Sequence, residues 1–252
     1  MTRYSQTRQE AIELTTPLSP GTPLIKPSRL LSQKKPILIG TWNVRTLWEA
    51  GKCAQAVAEM NRYKLTLMGM CETRWNGHGE TKLQTGETLI YSGKDISDHH
   101  EAGVGILLSK TAAKSLLEWE PVSDRIITAR FSSRFQKVTL VMCYAPTNTT
   151  EEEIKENYYA QLQTVVDKIP NRDMLIIMGD MNAKVGSINT DREHEMGKHG
   201  IGQMNENGEL LADFCTVNNL VIGGTLFPHK RCHIATWVSP DHQTENRSTI
   251  FC

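Results

Sequence analysis

No apolar run in the 252-residue chain approaches the roughly 20 consecutive hydrophobic positions that a membrane helix needs, which argues against a membrane span. The six cysteines (Cys53, Cys71, Cys143, Cys215, Cys232 and Cys252) include no CxxC pair. With no N-terminal signal segment either, their scatter points to unpaired thiols in a reducing compartment, nucleus or cytoplasm. Net charge is also absent, because 28 Lys and Arg offset 28 Asp and Glu. A bulk nucleic-acid binder usually carries a strong basic excess, so any DNA contact here requires a local basic strip.

The charge that is present is unevenly placed. Residues 1–36 hold six basic side chains (Arg3, Arg8, Lys26, Arg29, Lys34, Lys35) and two acids (Glu10, Glu13). Subtracted from the totals of 28, these leave 22 basic and 26 acidic residues after position 36. Such a mildly acidic body suits a protein that gathers carboxylates around a divalent cation. Five of the ten prolines also fall within residues 1–36 (Pro17, Pro20, Pro23, Pro27, Pro36). Each fixes φ and removes a backbone donor, so this stretch is expected to be a disordered, basic tail. The remainder, 37–252, is 'ordinary' globular material, the whole chain being 39% hydrophobic and 22% charged.

From residue 37 onward, short apolar runs alternate with amphipathic stretches, the pattern of an α/β domain. Strands are expected at Ile37–Trp42, Leu65–Cys71, Gly103–Ser109, Ile126–Phe131, Val138–Tyr144 and Met174–Met178. Helices are expected at Ala54–Asn61, Glu151–Lys168 and Gly208–Asn218. The second helix follows Thr149 and Thr150 and opens with Glu151 to Glu153, a capping hydroxyl and first-turn acids that suit its dipole.

Polar residues recur where four of these strands end. Ile37 to Trp42 runs into Asn43, Leu67 to Cys71 into Glu72, Leu140 to Cys143 into Tyr144, and Leu175 to Gly179 into Asp180-Met181-Asn182. Sheets commonly place sites at the carboxyl ends of their strands. Glu72, Asp180, Asn43 and Asn182 offer the hard oxygen ligands that Mg²⁺ accepts. Two carboxylates and two amides suffice to hold a metal and a phosphate while one carboxylate orients water, with Tyr144 donating to a phosphate oxygen. Asn and Asp also follow strands simply because they make turns, and the residues alone leave both readings open.

Taken together and in order, TWNVRTL (41–47), CETRWNG (71–77), GVGILLS (103–109), CYAPTN (143–148), GDMNAKVG (179–186) and ATWVSPD (235–241) resemble the endonuclease/exonuclease/phosphatase superfamily. Within it, the wording is most similar to the apurinic-type endonucleases of LINE retrotransposons, and nearest to the group of craniofacial development protein 2-like proteins. The match covers about residues 36 to 241. The resemblance implies an α/β fold, a DNase I-like four-layer two-sheet sandwich. It implies Mg²⁺ or Mn²⁺ as cofactor, DNA as partner, and metal ligation by Glu72 with Asn43 beside metal and phosphate. It further implies phosphate contact by Tyr144 and Asn182, water activation by Asp180, and Thr236 and Trp237 on a strand beneath the site.

Two departures accompany the resemblance. Relatives carry an Asp shortly after the Thr-Trp segment, where this chain has Glu245-Asn246-Arg247-Ser248-Thr249. They also finish with Ser-Asp-His, which is not found after residue 241, so the domain is expected to lack its last strand. The Ser97-Asp98-His99 triplet precedes Gly103 and is expected in an unrelated loop. His229, Cys232, His233 and His242 match no zinc-finger spacing, and Arg45, Arg74 and Lys184 stand beside the motifs as phosphate contacts or as solvated charges. Three functions remain open: an Mg²⁺-dependent DNA endonuclease, weakened or not; a non-catalytic retrotransposon-derived binding protein; and a phosphatase or lipid phosphodiesterase on the same scaffold.

Overall fold

The computed structural model describes Leu30, residues 37–228, and three short strand segments at 237–238, 245–246 and 249–251. The expected tail, apart from Leu30, lies outside the described residues, as do Thr236 and the His229, Cys232, His233 and His242 group.

Five strands form the first sheet: β1 (Ile39–Asn43), β2 (Leu67–Cys71), β3 (His78–Lys82), β4 (Thr88–Ser92) and β5 (Val104–Leu108). Their order is β1-β2-β5-β4-β3, with β1 and β2 parallel and the other pairs antiparallel. The second sheet contains β6 (Leu116–Pro121), β7 (Ile126–Phe131), β8 (Val138–Tyr144), β9 (Met174–Asp180) and β12 (Thr249–Phe251). It runs β12-β9-β8-β7-β6, with β8 and β9 parallel. Two further short strands, β10 (Trp237–Val238) and β11 (Glu245–Asn246), pair only with each other.

Side-chain alternation along the central strands separates the layers. In β2, Leu67 and Cys71 join the core between the sheets, where Ile106, Ile127, Phe131, Leu140 and Met142 also lie. Met68 and Met70 turn outward onto Ala56, Val57 and Met60 of helix α1 (Lys52–Arg62). In β8, Val141 and Cys143 face Tyr158 and Leu162 of α3 (Glu152–Asp167) and Leu211 and Phe214 of α4 (Glu206–Val217). The result is the expected four-layer, two-sheet α/β sandwich. Gly69 marks a close approach between the sheets, since a Cβ there would collide with the Met142 sulfur. Among the described residues, no helix is long and apolar enough to cross a membrane.

All six expected strands and all three expected helices form, with ends moved by a few residues. Six more strands form, β3, β4, β6, β10, β11 and β12, as does the four-residue helix α2 (Lys110–Ala113); of these only β10 carries a residue, Trp237, that the resemblance places on a strand. β3 reads His-Gly-Glu-Thr-Lys and sits at a sheet edge, where no hydrophobic run is needed. β6 is an edge strand of the second sheet, carrying Glu118, Glu120 and a terminal Pro121. The cap of α3 also differs from expectation. Its N-cap is Glu151 without a side-chain bond, while the Thr147 hydroxyl bonds those of Thr149 and Thr150.

Candidate functional site

The two parallel pairs decide where the polar strand ends meet. Because β1 runs with β2 and β8 with β9, each pair delivers both carboxyl ends on one side. β1 and β2 also pack across the core against β9. Asn43, Glu72, Tyr144 and Asp180 therefore converge at one edge of the sandwich, although up to 137 residues separate them.

Hydrogen bonds join the four side chains. Asn43 Nδ2 donates to Glu72 Oε1 at 2.7 Å and to Asp180 Oδ2 at 3.1 Å. The Tyr144 hydroxyl donates to the same Glu72 oxygen at 3.2 Å. The Arg45 backbone N–H donates to Asn43 Oδ1 at 3.1 Å, which fixes the amide with its nitrogen toward the carboxylates. Arg74 stands 3.6 Å from the other Glu72 oxygen. Burial pushes the Tyr144 phenol up, and the adjacent Glu72 charge pushes it further, so Tyr144 keeps its proton at neutral pH and remains a donor.

The backbone beneath is held with equal care. The Cys71 thiol donates to the Cys143 carbonyl at 3.1 Å and accepts the Asp180 N–H at 3.4 Å, linking β2, β8 and β9 directly under the cluster. Burial raises both thiols, Cys143 to about 12, so they act as neutral spacers rather than nucleophiles. Gly179 lies against the Cys143 carbonyl with φ +147°, leaving no room for a Cβ one residue before Asp180. Glu72 itself adopts φ 55°, and Arg45 and Arg74 adopt 58° and 55°. A left-handed conformation costs such residues about 1–2 kcal/mol each, and strain of this kind gathers at functional sites.

Asn182 arrives beside the cluster but spends its amide elsewhere. Its Nδ2 donates to the Ala145 carbonyl at 2.8 Å, and its backbone N–H supports Asp180 Oδ1 at 3.1 Å. Two residues that the motifs did not single out hold this loop. Asn207 Nδ2 donates to the Pro146 and Asn182 carbonyls at 2.9 and 3.2 Å, joining the loops that follow β8 and β9. Asn205 Oδ1 accepts from Lys184 N at 2.8 Å and caps α4 through Gly208 N at 2.9 Å. The only sequence signal was Asn205-Glu206-Asn207-Gly208 ahead of a helix, which reads as a cap and carries no sign of the long-range contacts. Ser97-Asp98-His99 lies in the loop between β4 and β5, where Asp98 N–H closes a turn on the Asp95 carbonyl.

Among the described residues, no three His, Cys, Asp or Glu side chains converge as a metal centre. The donor set nonetheless fits Mg²⁺, which usually binds through one or two carboxylates and keeps several waters. Two carboxylates share one amide donor here, with Arg74 as the cation within ion-pair reach of Glu72.

No protein-family model matches the chain. It is 36% identical over 214 residues to craniofacial development protein 2 from Tragulus javanicus, an alignment covering 85% of this chain and 36% of that protein. The chain thus spans about a third of the length of the curated relative it matches. Among solved structures, the 3′ phosphatase NExo from Neisseria, bound to product DNA hairpin, superposes with TM-score 0.61 at 16% identity, covering 86% of each chain. The endonuclease domain of TRAS1, a telomere-specific non-LTR retrotransposon, gives TM-score 0.58 at 15% identity, covering 86% of this chain and 84% of that one.

Proposed function

The chain has the DNase I-like fold of the endonuclease/exonuclease/phosphatase nucleases and is similar in sequence to part of craniofacial development protein 2; from that premise we propose that it is a divalent-metal-dependent phosphodiesterase acting on DNA. The observation that carries this reading is the bridge from Asn43 Nδ2 to both Glu72 and Asp180, which unites ends of three strands from two sheets around paired carboxylates.

In this reading Glu72 holds Mg²⁺ or Mn²⁺, and Asn43 joins it as a ligand only by turning its Oδ1 from the Arg45 N–H toward Glu72. When bound, the cation supplies positive charge to the phosphate oxygens and offsets charge that builds up in phosphoester cleavage. Asp180 orients the attacking water and takes its proton, its Oδ1 steadied by the Asn182 backbone N–H. Tyr144, kept protonated by burial and by Glu72, donates to a non-bridging phosphate oxygen. Asn182 keeps the Asp180 loop in place through Ala145, and its amide reaches phosphate only by leaving that carbonyl. Among the described residues both thiols near the cluster are buried and raised and no serine joins its hydrogen bonds, so water attacks directly in this reading.

The test is conversion of supercoiled plasmid to open circles by the full chain in Mg²⁺, with EDTA as control. Mg²⁺-dependent nicking is expected. Plasmid left intact in both Mg²⁺ and Mn²⁺ would contradict the assignment.

A further inference from the structure

Three loops meet beside the cluster, on the side of β1 and β2. Leu47 N–H donates to the Thr73 carbonyl at 2.9 Å and fastens the loop after β1 to the loop after β2. His100 Nδ1 lies 3.1 Å from the Arg74 carbonyl oxygen, which brings in the loop between β4 and β5. Trp48, next to buried Leu47, stacks on the His100 ring with centroids 3.8 Å apart and planes at 36°. Trp48 remains 45% exposed, and His100 is exposed as well. A stack this open contributes little to the core, although large aromatic rings normally gain most by being covered.

Its neighbours are charged. Arg74 is half exposed and 3.6 Å from Glu72. Arg45 is exposed and its N–H holds the Asn43 amide. The Arg74 guanidinium therefore borders Glu72, the Arg45 backbone borders Asn43, and the aromatic stack adjoins them through the Arg74 carbonyl. Aromatic faces with interleaved cations are what single-stranded nucleic acid requires, the rings taking bases and the cations taking phosphates. Within an intact duplex each base is already stacked on both sides. An aromatic platform gains binding energy only from a base that is unpaired at an end, gap or overhang, or turned out of the helix.

We propose that the Trp48–His100 stack, flanked by Arg45 and Arg74, receives an unpaired nucleobase next to the scissile phosphodiester. The substrate class is then DNA with at least one unpaired nucleotide beside the cut, in preference to intact duplex. This specificity rests on the phosphodiesterase reading of the neighbouring carboxylates, and the experiment keeps the two separable.

Fluorescein-labelled blunt duplex and the same duplex with a short single-stranded overhang are titrated with the full chain in Ca²⁺, and anisotropy is recorded. The wild type is expected to bind the overhang duplex roughly tenfold more tightly, within the range for stacking one base on an aromatic ring. Trp48→Ala, on an exposed loop, should bring the overhang duplex down to the blunt value, and Trp48→Phe should keep most of the preference. Equal binding of both DNAs by the wild type, or equal losses on both in Trp48→Ala, would overturn the stacking site while leaving the phosphodiesterase reading standing. Binding to neither DNA would overturn both.

Discussion

A single amide nitrogen, Nδ2 of Asn43, stands between two carboxylates that would otherwise repel one another. Its orientation is set one step back, by the Arg45 N–H on Asn43 Oδ1. Arg45 makes that bond from a left-handed backbone conformation, and Glu72 and Arg74 are held in the same region. Local strain is thus spent on aiming polar groups at one point. Under the proposed function, a divalent cation beside Glu72 would neutralise repulsion that the Asn43 amide and the Arg74 guanidinium only partly offset. Mg²⁺ or Mn²⁺ at about a hundredfold excess over its dissociation constant should stabilise the native chain by about 2.7 kcal/mol, a rise in melting temperature of roughly 5–10 °C. Glu72→Gln should abolish that rise, as followed by thermal unfolding with and without metal. An unchanged rise in the variant would remove Glu72 from the metal site.

At the scale of elements, burial controlled what could be read in advance. Strands β2, β5 and β8 are buried along nearly their whole length and stand out as hydrophobic runs. The edge strands β3 and β6 do not, because one side of each ladder and much of each face meet solvent. The strand-end positions of Asn43, Glu72, Tyr144 and Asp180 were legible, but their convergence depended on resemblance, since no local pattern encodes contacts across two sheets. Asn207 was not legible at all, for its partners Pro146 and Asn182 lie 61 and 25 residues away.

The same blindness applies to the ion pair that fastens β7 and β8 to the start of β9. Arg130 Nε and Nη2 bond both Asp173 oxygens at 2.6 and 3.1 Å, and the Thr139 hydroxyl donates to Asp173 at 2.8 Å. The guanidinium hydrogen bond, joined by that of Thr139, holds the Asp173 carboxyl below its ordinary range. A lowered folded value means stability that is present above the unfolded value, near pH 4, and lost as pH falls below it. Asp173→Asn should therefore cost about 2 kcal/mol at pH 7, less than for a fully buried pair because Arg130 is partly exposed. In urea unfolding, the gap from wild type should narrow toward pH 3. A gap of constant size would mean that Asp173 acts by packing rather than charge.

For the molecule as a whole, the sandwich explains why the site lies where it does. Both sheets place a parallel pair where they pack together, β1 with β2 and β8 with β9, and every other neighbouring pair is antiparallel. Only the parallel pairs put two carboxyl ends side by side, and β9 packing against β1 and β2 brings the two sets together. A rigid, fully buried core between the sheets then fixes distances that side chains on loops alone could not keep. Phosphodiester cleavage at the carboxylates converging on this edge is measured most directly as the plasmid nicking rate in Mg²⁺ of wild type beside Asp180→Ala. The wild type is expected to nick, and the variant to be slower by about 10²- to 10⁴-fold, the loss typical of a positioned acid or base. Equal rates in the two proteins would contradict cleavage at this edge.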